Sequence, residues 1–182
     1  MFKTFLKTHF SDNYLRELRK QTASYIPQNS RVIDIGCGTG ILLSELSPRI
    51  KYGLGIDTDS SMIDFARKKY GHRNLEFRAG DSNYLAERTY DIAVLSLIVH
   101  SLDKESEIRL LKKASSMAEK VIIADYFKFS LLVHIDEIIA GHYNNFKEYR
   151  KNKMENLIEE AGLLIEKART NYKNLGIWIC SS

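Results

Sequence analysis

The chain has two cysteines, no apolar stretch of membrane-spanning length and only a small excess of charge. Cys37 and Cys180 alone make no disulfide framework, so a reduced protein of cytoplasmic location is expected. The longest apolar candidate, Tyr90 to Leu102, is interrupted by Asp91 and His100 and reads as a buried strand rather than a membrane span. The opening Met-Phe-Lys-Thr-Phe-Leu-Lys lacks a continuous apolar core and a small-residue cleavage site, so no secretory signal is expected. No linker, repeat or low-complexity tract divides the 182 residues, and the length suits a single domain over 1–182. Net charge is +4, of which residues 1–30 supply +3 through Lys3, Lys7, Arg16, Arg19 and Lys20 against Asp12 and Glu17. Elsewhere bases alternate with acids, the pattern of a solvated surface and not of a nucleic-acid stripe.

From residue 31 to about 126, short apolar runs alternate with amphipathic segments. Strands are predicted at Arg31–Ile35, Tyr52–Ile56, Leu75–Ala79, Asp91–Leu97 and Val121–Ala124. Strands alternating with helices imply right-handed crossovers and a parallel sheet, an α/β doubly wound arrangement. Asp59 is the predicted N-cap of a helix over Ser60–Tyr70, with Gly71 as its stop. Asp103 caps a second helix, whose Glu105 and Glu107 come early and Lys112 and Lys113 late, an order that complements the helix dipole. Phe146, Tyr149, Met154, Leu157, Ile158 and Ala161 fit one helix ending at Gly162. The runs Leu163–Ala168 and Leu175–Cys180 that follow are joined by Thr170–Asn174, too short for a crossover, and must pair antiparallel.

Residues 32–40, Val-Ile-Asp-Ile-Gly-Cys-Gly-Thr-Gly, carry most of the functional signal. A strand ends in three glycines at spacing two, and the run Ile41-Leu42-Leu43 then opens a helix. Such a turn lets backbone approach a ligand closely. A dinucleotide fingerprint requires G-x-G-x-x-G, and Ile41 occupies the position of its third glycine.

The loop resembles motif I of class I S-adenosylmethionine (SAM)-dependent methyltransferases, and the resemblance extends from about Arg31 to Ser182. It is nearest to the small single-domain proteins of the methyltransferase type 11/12 group. It implies a Rossmann-like, mostly parallel sheet of seven strands in the order 3-2-1-4-5-7-6, with the last strand antiparallel. It also implies SAM as cofactor, with S-adenosylhomocysteine as product. Asp34 would hold the cofactor's ammonium, the alternative being a cap on the turn. Gly36, Cys37, Gly38 and Gly40 would form the cradle. Asp57, with Thr58, would meet the ribose hydroxyls, a logic shared with other nucleotide-binding α/β folds. Asp81 and Ser82 would meet the adenine, and Leu95 and Ser96 would reach the active edge. Ser96-Leu-Ile-Val99 stands where amino-group methylases of DNA bases carry Asn/Asp-Pro-Pro-Tyr/Phe, which argues against that subclass. No metal ligand set is read.

Methyl transfer from a sulfonium needs alignment more than acid or base, so a missing catalytic triad excludes nothing. An ionisable acceptor would still gain from a base. His100, His142 and Tyr143 are the candidates for a base or an acceptor contact, and for His100 a structural, hydrogen-bonded role is the alternative. Asp125 and Tyr126 could line the acceptor pocket or merely anchor the loop. An N-terminal helical segment over 1–28, bearing Phe2, Phe5, Leu6, Phe10, Tyr14, Leu15 and Leu18, would cover part of the site, with core packing as the alternative. An insertion over 127–145, with Leu131, Leu132, Ile135, Ile138 and Ile139, would contribute to the pocket. The expected partner is a small-molecule acceptor, with no nucleic acid and no membrane, in a monomer or homodimer. The competing readings are a catalytically silent SAM-binding partner or sensor, an RNA or protein methyltransferase and, more distantly, a nicotinamide-linked oxidoreductase.

Overall fold

The computed structural model describes residues 15–71, 74–82, 90–127, 141, 143–149, 153–172 and 174–181. Phe2, Phe5, Leu6, Phe10, Tyr14, His142 and the insertion residues from Leu131 to Ile139 lie outside the described residues, so those expectations stay with the sequence. The strands are β1 (Arg31–Ile35), β2 (Tyr52–Asp57), β3 (Leu75–Ala79), β4 (Tyr90–Ser96), β5 (Ala118–Tyr126), β6 (Leu164–Tyr172) and β7 (Leu175–Ser181). Residues 15–24 are helical (α1). The further helices are α2 (Ile41–Leu46), α3 (Ser60–Tyr70), α4 (Lys104–Met117), α5 (Tyr143–Tyr149) and α6 (Met154–Glu160), with a 3-10 turn at Val99–Ser101.

The seven strands form one sheet in the order β3-β2-β1-β4-β5-β7-β6. β1 to β5 pair parallel, whereas β7 runs antiparallel to both β5 and β6. This is the order the resemblance implied. Successive strand residues point to opposite faces, and both faces are buried. Ile33, Ala93, Leu95, Val121, Ile123, Trp178 and Cys180 pack on the face covered by α4, α5 and α6. Val32, Ile92, Val94, Ile122, Ala124 and Ile177 pack on the face that holds Leu18 of α1, Leu43 of α2 and Ile63 of α3. Trp178 is fully buried, and its indole N–H donates to Glu155 Oε1 at 2.9 Å, which ties β7 to α6 without stranding a donor.

Local chemistry sets the helix boundaries. Asp59 accepts from the Ser61 and Met62 amides, and Asp103 accepts from the Ser106 amide, so both predicted caps are formed. Asp91, at the opposite edge from the site, accepts from the Arg31 amide at 2.6 Å and joins the starts of β4 and β1.

Two expectations need correction. The last apolar pattern makes two helices, not one: Lys153 is extended at φ −63°, ψ 143°, and separates α5 from α6. The five-residue step from Tyr149 to Met154 breaks the 3.6-residue phase and gave the signal. In α4, the last turn contains no basic residue, because the helix runs on to Met117 past Lys112 and Lys113. Glu105 and Glu107 stand in the first turn as expected, but Glu107 does not face solvent. It is buried in the same stripe as Leu111, Ala114 and Met117.

Candidate cofactor cleft

The C-terminal ends of β1 to β5 lie at one edge, where the parallel sheet delivers its loops. Gly36, Gly38 and Gly40 all have positive φ, at 77°, 50° and 76°. Two of these positions show why glycine is required. A Cβ on Gly40 would lie 2.5 Å from the Phe77 ring, so β3 packs directly on the turn. A Cβ on Gly38 would meet nothing within 4 Å, so bare backbone there faces open space. The Gly36 and Cys37 amides donate to the Ile56 carbonyl at 2.7 and 3.0 Å, which clamps the loop to the end of β2.

Asp57 completes the clamp. Its Oδ2 accepts from the Gly38 amide at 2.8 Å and its Oδ1 from the Asp59 amide at 2.9 Å. The Gly80 amide donates to the Asp57 carbonyl at 2.9 Å and so brings the tip of β3 beside the tip of β2. The resulting cleft encloses about 250 Å³ and is lined by Gly36, Asp57, Thr58, Asp81 and Ser82, five of the residues singled out from the sequence. Ile35 and Ile56 form part of its lining, with Ile98 and Leu102 on either side of the 3-10 turn.

α4 adds a wall that sequence reasoning missed, made of Ser106, Arg109 and Leu110. Their spacing of three and four sets them on one helix side, away from the buried Glu107–Leu111–Ala114 stripe, and that spacing was the available signal. Arg109 donates to Ser106 Oγ at 2.7 Å and sits 3.7 Å from Glu105.

Asp34 lies two residues before the loop and is 2% exposed. Its Oδ1 is buried with no hydrogen-bond partner. Burial, reinforced by repulsion from Asp57, raises its pKa to about 7. The turn-cap alternative is therefore not seen: no amide donor reaches that oxygen.

Other singled-out residues sit elsewhere. The Cys37 side chain packs toward Gly55 and Phe77, where a Cβ on Gly55 would come within 2.8 Å of its sulfur. Burial, then the charges of Asp34 and Asp57, push that thiol well above its ordinary range, which disfavours the thiolate. Leu95 is fully buried in the core, and half-buried Ser96 pairs with Ala124 in the sheet; neither is among the residues lining the cleft. Alternation along β4 explains Leu95, because every odd position from Ala93 faces the α4 side. Leu97, the next residue, carries a positive φ of 55° and turns the chain out of the strand.

His100 is buried behind this wall. Its Nδ1 lies 2.6 Å from Asp125 Oδ1, and its amide donates to Asp125 Oδ2 at 3.3 Å. The rings of Tyr126, Phe146 and Tyr149 stand edge-on to it at centroid distances of 4.7, 6.0 and 6.3 Å. Tyr149 Oη donates to the Tyr126 carbonyl, and Asn145 donates to the Ser101 carbonyl at 2.7 Å, so α5 grips the turn from outside. Tyr143 is half-buried at the start of α5. Glu107 faces the same cluster with both carboxylate oxygens unpartnered. Burial first, then repulsion from Asp125 and Asp103, raises its pKa to about 7.

Residues 32–120 match the family model described as a methyltransferase domain. Among curated relatives, methyltransferase 235L of Invertebrate iridescent virus 6 is 40% identical over 87 residues, covering 46% of this chain and 30% of the relative. The ribosomal protein L11 methyltransferase of Thermotoga neapolitana is 30% identical over 101 residues, covering 54% of this chain and 37% of the relative. The chain thus spans about a third of the length of these two relatives. Magnesium protoporphyrin IX methyltransferase from Synechocystis PCC 6803, solved with bound S-adenosylhomocysteine, superposes with a TM-score of 0.66 at 17% identity, covering 96% of this chain and 87% of that one. The chain is thus similar over residues 32–120 to methyltransferase domains, and its seven-stranded fold is shared with a methyltransferase solved with S-adenosylhomocysteine.

Proposed function

We propose that the protein transfers the methyl group of SAM to a small-molecule acceptor that presents an apolar or flat surface. The observation that carries the cofactor half is the orphaned Asp34 oxygen, two residues before Gly36 at the tip of β1; Asp34 itself is buried and, like Cys37, Gly38 and Gly40, is not among the residues lining the cleft, whereas Gly36, Asp57 and Asp81 are. The residues fit the group. A buried carboxylate without a partner calls for a cation, and the cofactor's ammonium is one. When bound, SAM supplies a sulfonium-activated methyl group.

The chain's own residues do the rest. Asp57 keeps a second lone pair on each oxygen beyond the two amides it already satisfies, so it can accept from ribose hydroxyls without releasing the loop. Asp81 and Ser82, which line the same cleft, would meet the purine edge. Ile98, Leu102 and Leu110 supply apolar surface for its faces and displace water. Alignment at the open side can contribute several kcal/mol of rate without a base, on the order of 7 kcal/mol or more in well-oriented systems.

We assign His100 to positioning. Its bond to Asp125 and its aromatic cage fix the turn that carries Ile98 and Leu102, which fits a wall better than an accessible base. Tyr143 remains the proposed acceptor contact, together with His142. The alternation of bases and acids along the chain supports a small acceptor over a polyanion. So does the name of the structural neighbour that acts on a porphyrin; the relative named for a ribosomal protein supports a protein side chain instead.

The test is a thermal-shift titration. A ligand at 100 times its Kd adds about 2.7 kcal/mol to stability, or roughly 5–10 °C for a domain of this size. S-adenosylhomocysteine should give such a shift and NAD should give none. A shift from NAD alone would overturn the reading.

A further inference from the structure

The tip of β1, just behind the Gly36 that lines the cleft, buries a carboxyl that no polar contact satisfies. Asp34 is fully enclosed with an unpartnered oxygen, and among the described residues it joins no ion pair. Its strand neighbours are Gly55 on β2 and Val94 on β4, neither of which can neutralise it. The titratable groups that face it are the Asp57 carboxylate at the tip of β2 and the Cys37 thiol in the loop. Asp57 accepts from two amide donors and so has no cation to offer Asp34; its own charge disfavours a second one beside it. A lone buried carboxyl in that setting is cheaper to keep protonated than charged.

We propose, resting on the cofactor reading above, that binding of the ammonium-bearing cofactor expels a proton from Asp34 to solvent, so that this cleft holds its cofactor more tightly as pH rises toward neutrality. The unliganded pocket keeps the proton because no cation compensates the charge. The ligand's ammonium supplies that cation and makes the carboxylate the favoured form. The lift of the Asp34 pKa to about 7 puts the exchange within the pH range of ordinary metabolism. The proton is the only species released, and no bond other than O–H is broken.

The experiment compares two ligands on the unaltered protein by calorimetry from pH 5.5 to 7.5. S-adenosylhomocysteine carries the ammonium; 5′-methylthioadenosine has the same nucleoside and thioether without the amino-acid group. Only the ionised fraction of Asp34 is competent for the first, so its Kd should fall by on the order of 20-fold across that range. The second should bind with a flat profile, which also controls for pH effects that do not involve the ligand's ammonium. Repeating the first titration in buffers of different ionisation enthalpy should show proton release near pH 6 that fades by pH 7.5. In Asp34→Asn the slope for S-adenosylhomocysteine should vanish. A flat profile for S-adenosylhomocysteine, or equal slopes for both ligands, overturns the proposal and leaves the cofactor assignment standing. Failure of both ligands to bind at every pH overturns the cofactor assignment itself, and the proposal with it.

Discussion

Replacing Asp57 by Asn changes the cleft at its hinge while leaving the side-chain shape intact. The carboxylate holds the Gly38 amide with one oxygen at 2.8 Å and the Asp59 amide with the other at 2.9 Å. An Asn can accept only one of these, and its NH₂ would then confront the other N–H donor. Losing a hydrogen bond to a charged group costs about 1.5–3 kcal/mol, which for a domain of this size lowers the melting temperature by about 3–12 °C. The same substitution removes the charged acceptor proposed for the ribose hydroxyls. Affinity for S-adenosylhomocysteine should therefore fall roughly 10- to 150-fold, the binding equivalent of one such hydrogen bond. Circular dichroism melts give the first quantity, and calorimetric titration well below the melt gives the second. A lowered melting temperature with unchanged ligand affinity would show that Asp57 only pins the loop. An unchanged melting temperature would refute the clamp.

Gly40→Ala should lower stability by about 2–4 kcal/mol, combining a left-handed backbone with a Cβ 2.5 Å from the Phe77 ring, as read from a denaturant melt. Gly38→Ala has no such clash and should cost only about 1–2 kcal/mol, yet weaken S-adenosylhomocysteine at least tenfold, because its methyl would occupy the open space over the loop. Unchanged affinity would place the ligand elsewhere. Glu107 has a folded pKa of about 7 against an ordinary value of 4.5, so the native state binds more protons than the unfolded chain between those values, and stability is lost as pH rises through the interval. Glu107→Gln removes that slope and should gain on the wild type by on the order of 3 kcal/mol between pH 4.5 and pH 8; a constant difference across pH would refute the assignment. Asp125→Ala removes the acceptor shared by the His100 ring and amide and should cost about 1–3 kcal/mol for each buried donor left unsatisfied, with weaker cofactor binding as the Ile98–Leu102 wall loosens; an unaltered affinity would free the wall from His100.

The sequence made the cofactor half of the cleft readable because short-range chemistry fixes it. Strand ends, the alternating glycines and the two Asp caps depend on residues within a few positions of one another. β1 and β3 accordingly run over the residues expected of them. The strand order was legible only through family resemblance, since periodicity carries no information on which strands lie side by side. Glu107 shows the limit most plainly: in sequence it looks like a helix-dipole acid, and only the packing of α4 on the sheet reveals it as a buried carboxyl facing Asp125. Leu95 is the converse case, where proximity in sequence to the active edge did not decide which face of β4 the side chain takes. The α4 wall of Ser106, Arg109 and Leu110 stayed hidden because its role arises from where the helix docks, a long-range property. Tyr149 and Asn145, which hold the His100 turn, belong to the same class.

The most direct measurement of the central claim is a crystal structure grown with S-adenosylhomocysteine. The account predicts the ribose hydroxyls within hydrogen-bonding distance of Asp57, the purine edge beside Asp81 and Ser82, and the ammonium turned toward Asp34 over the glycine loop. Ligand density away from that cleft, or a nucleoside seated there with Asp57 touching none of it, would contradict the account.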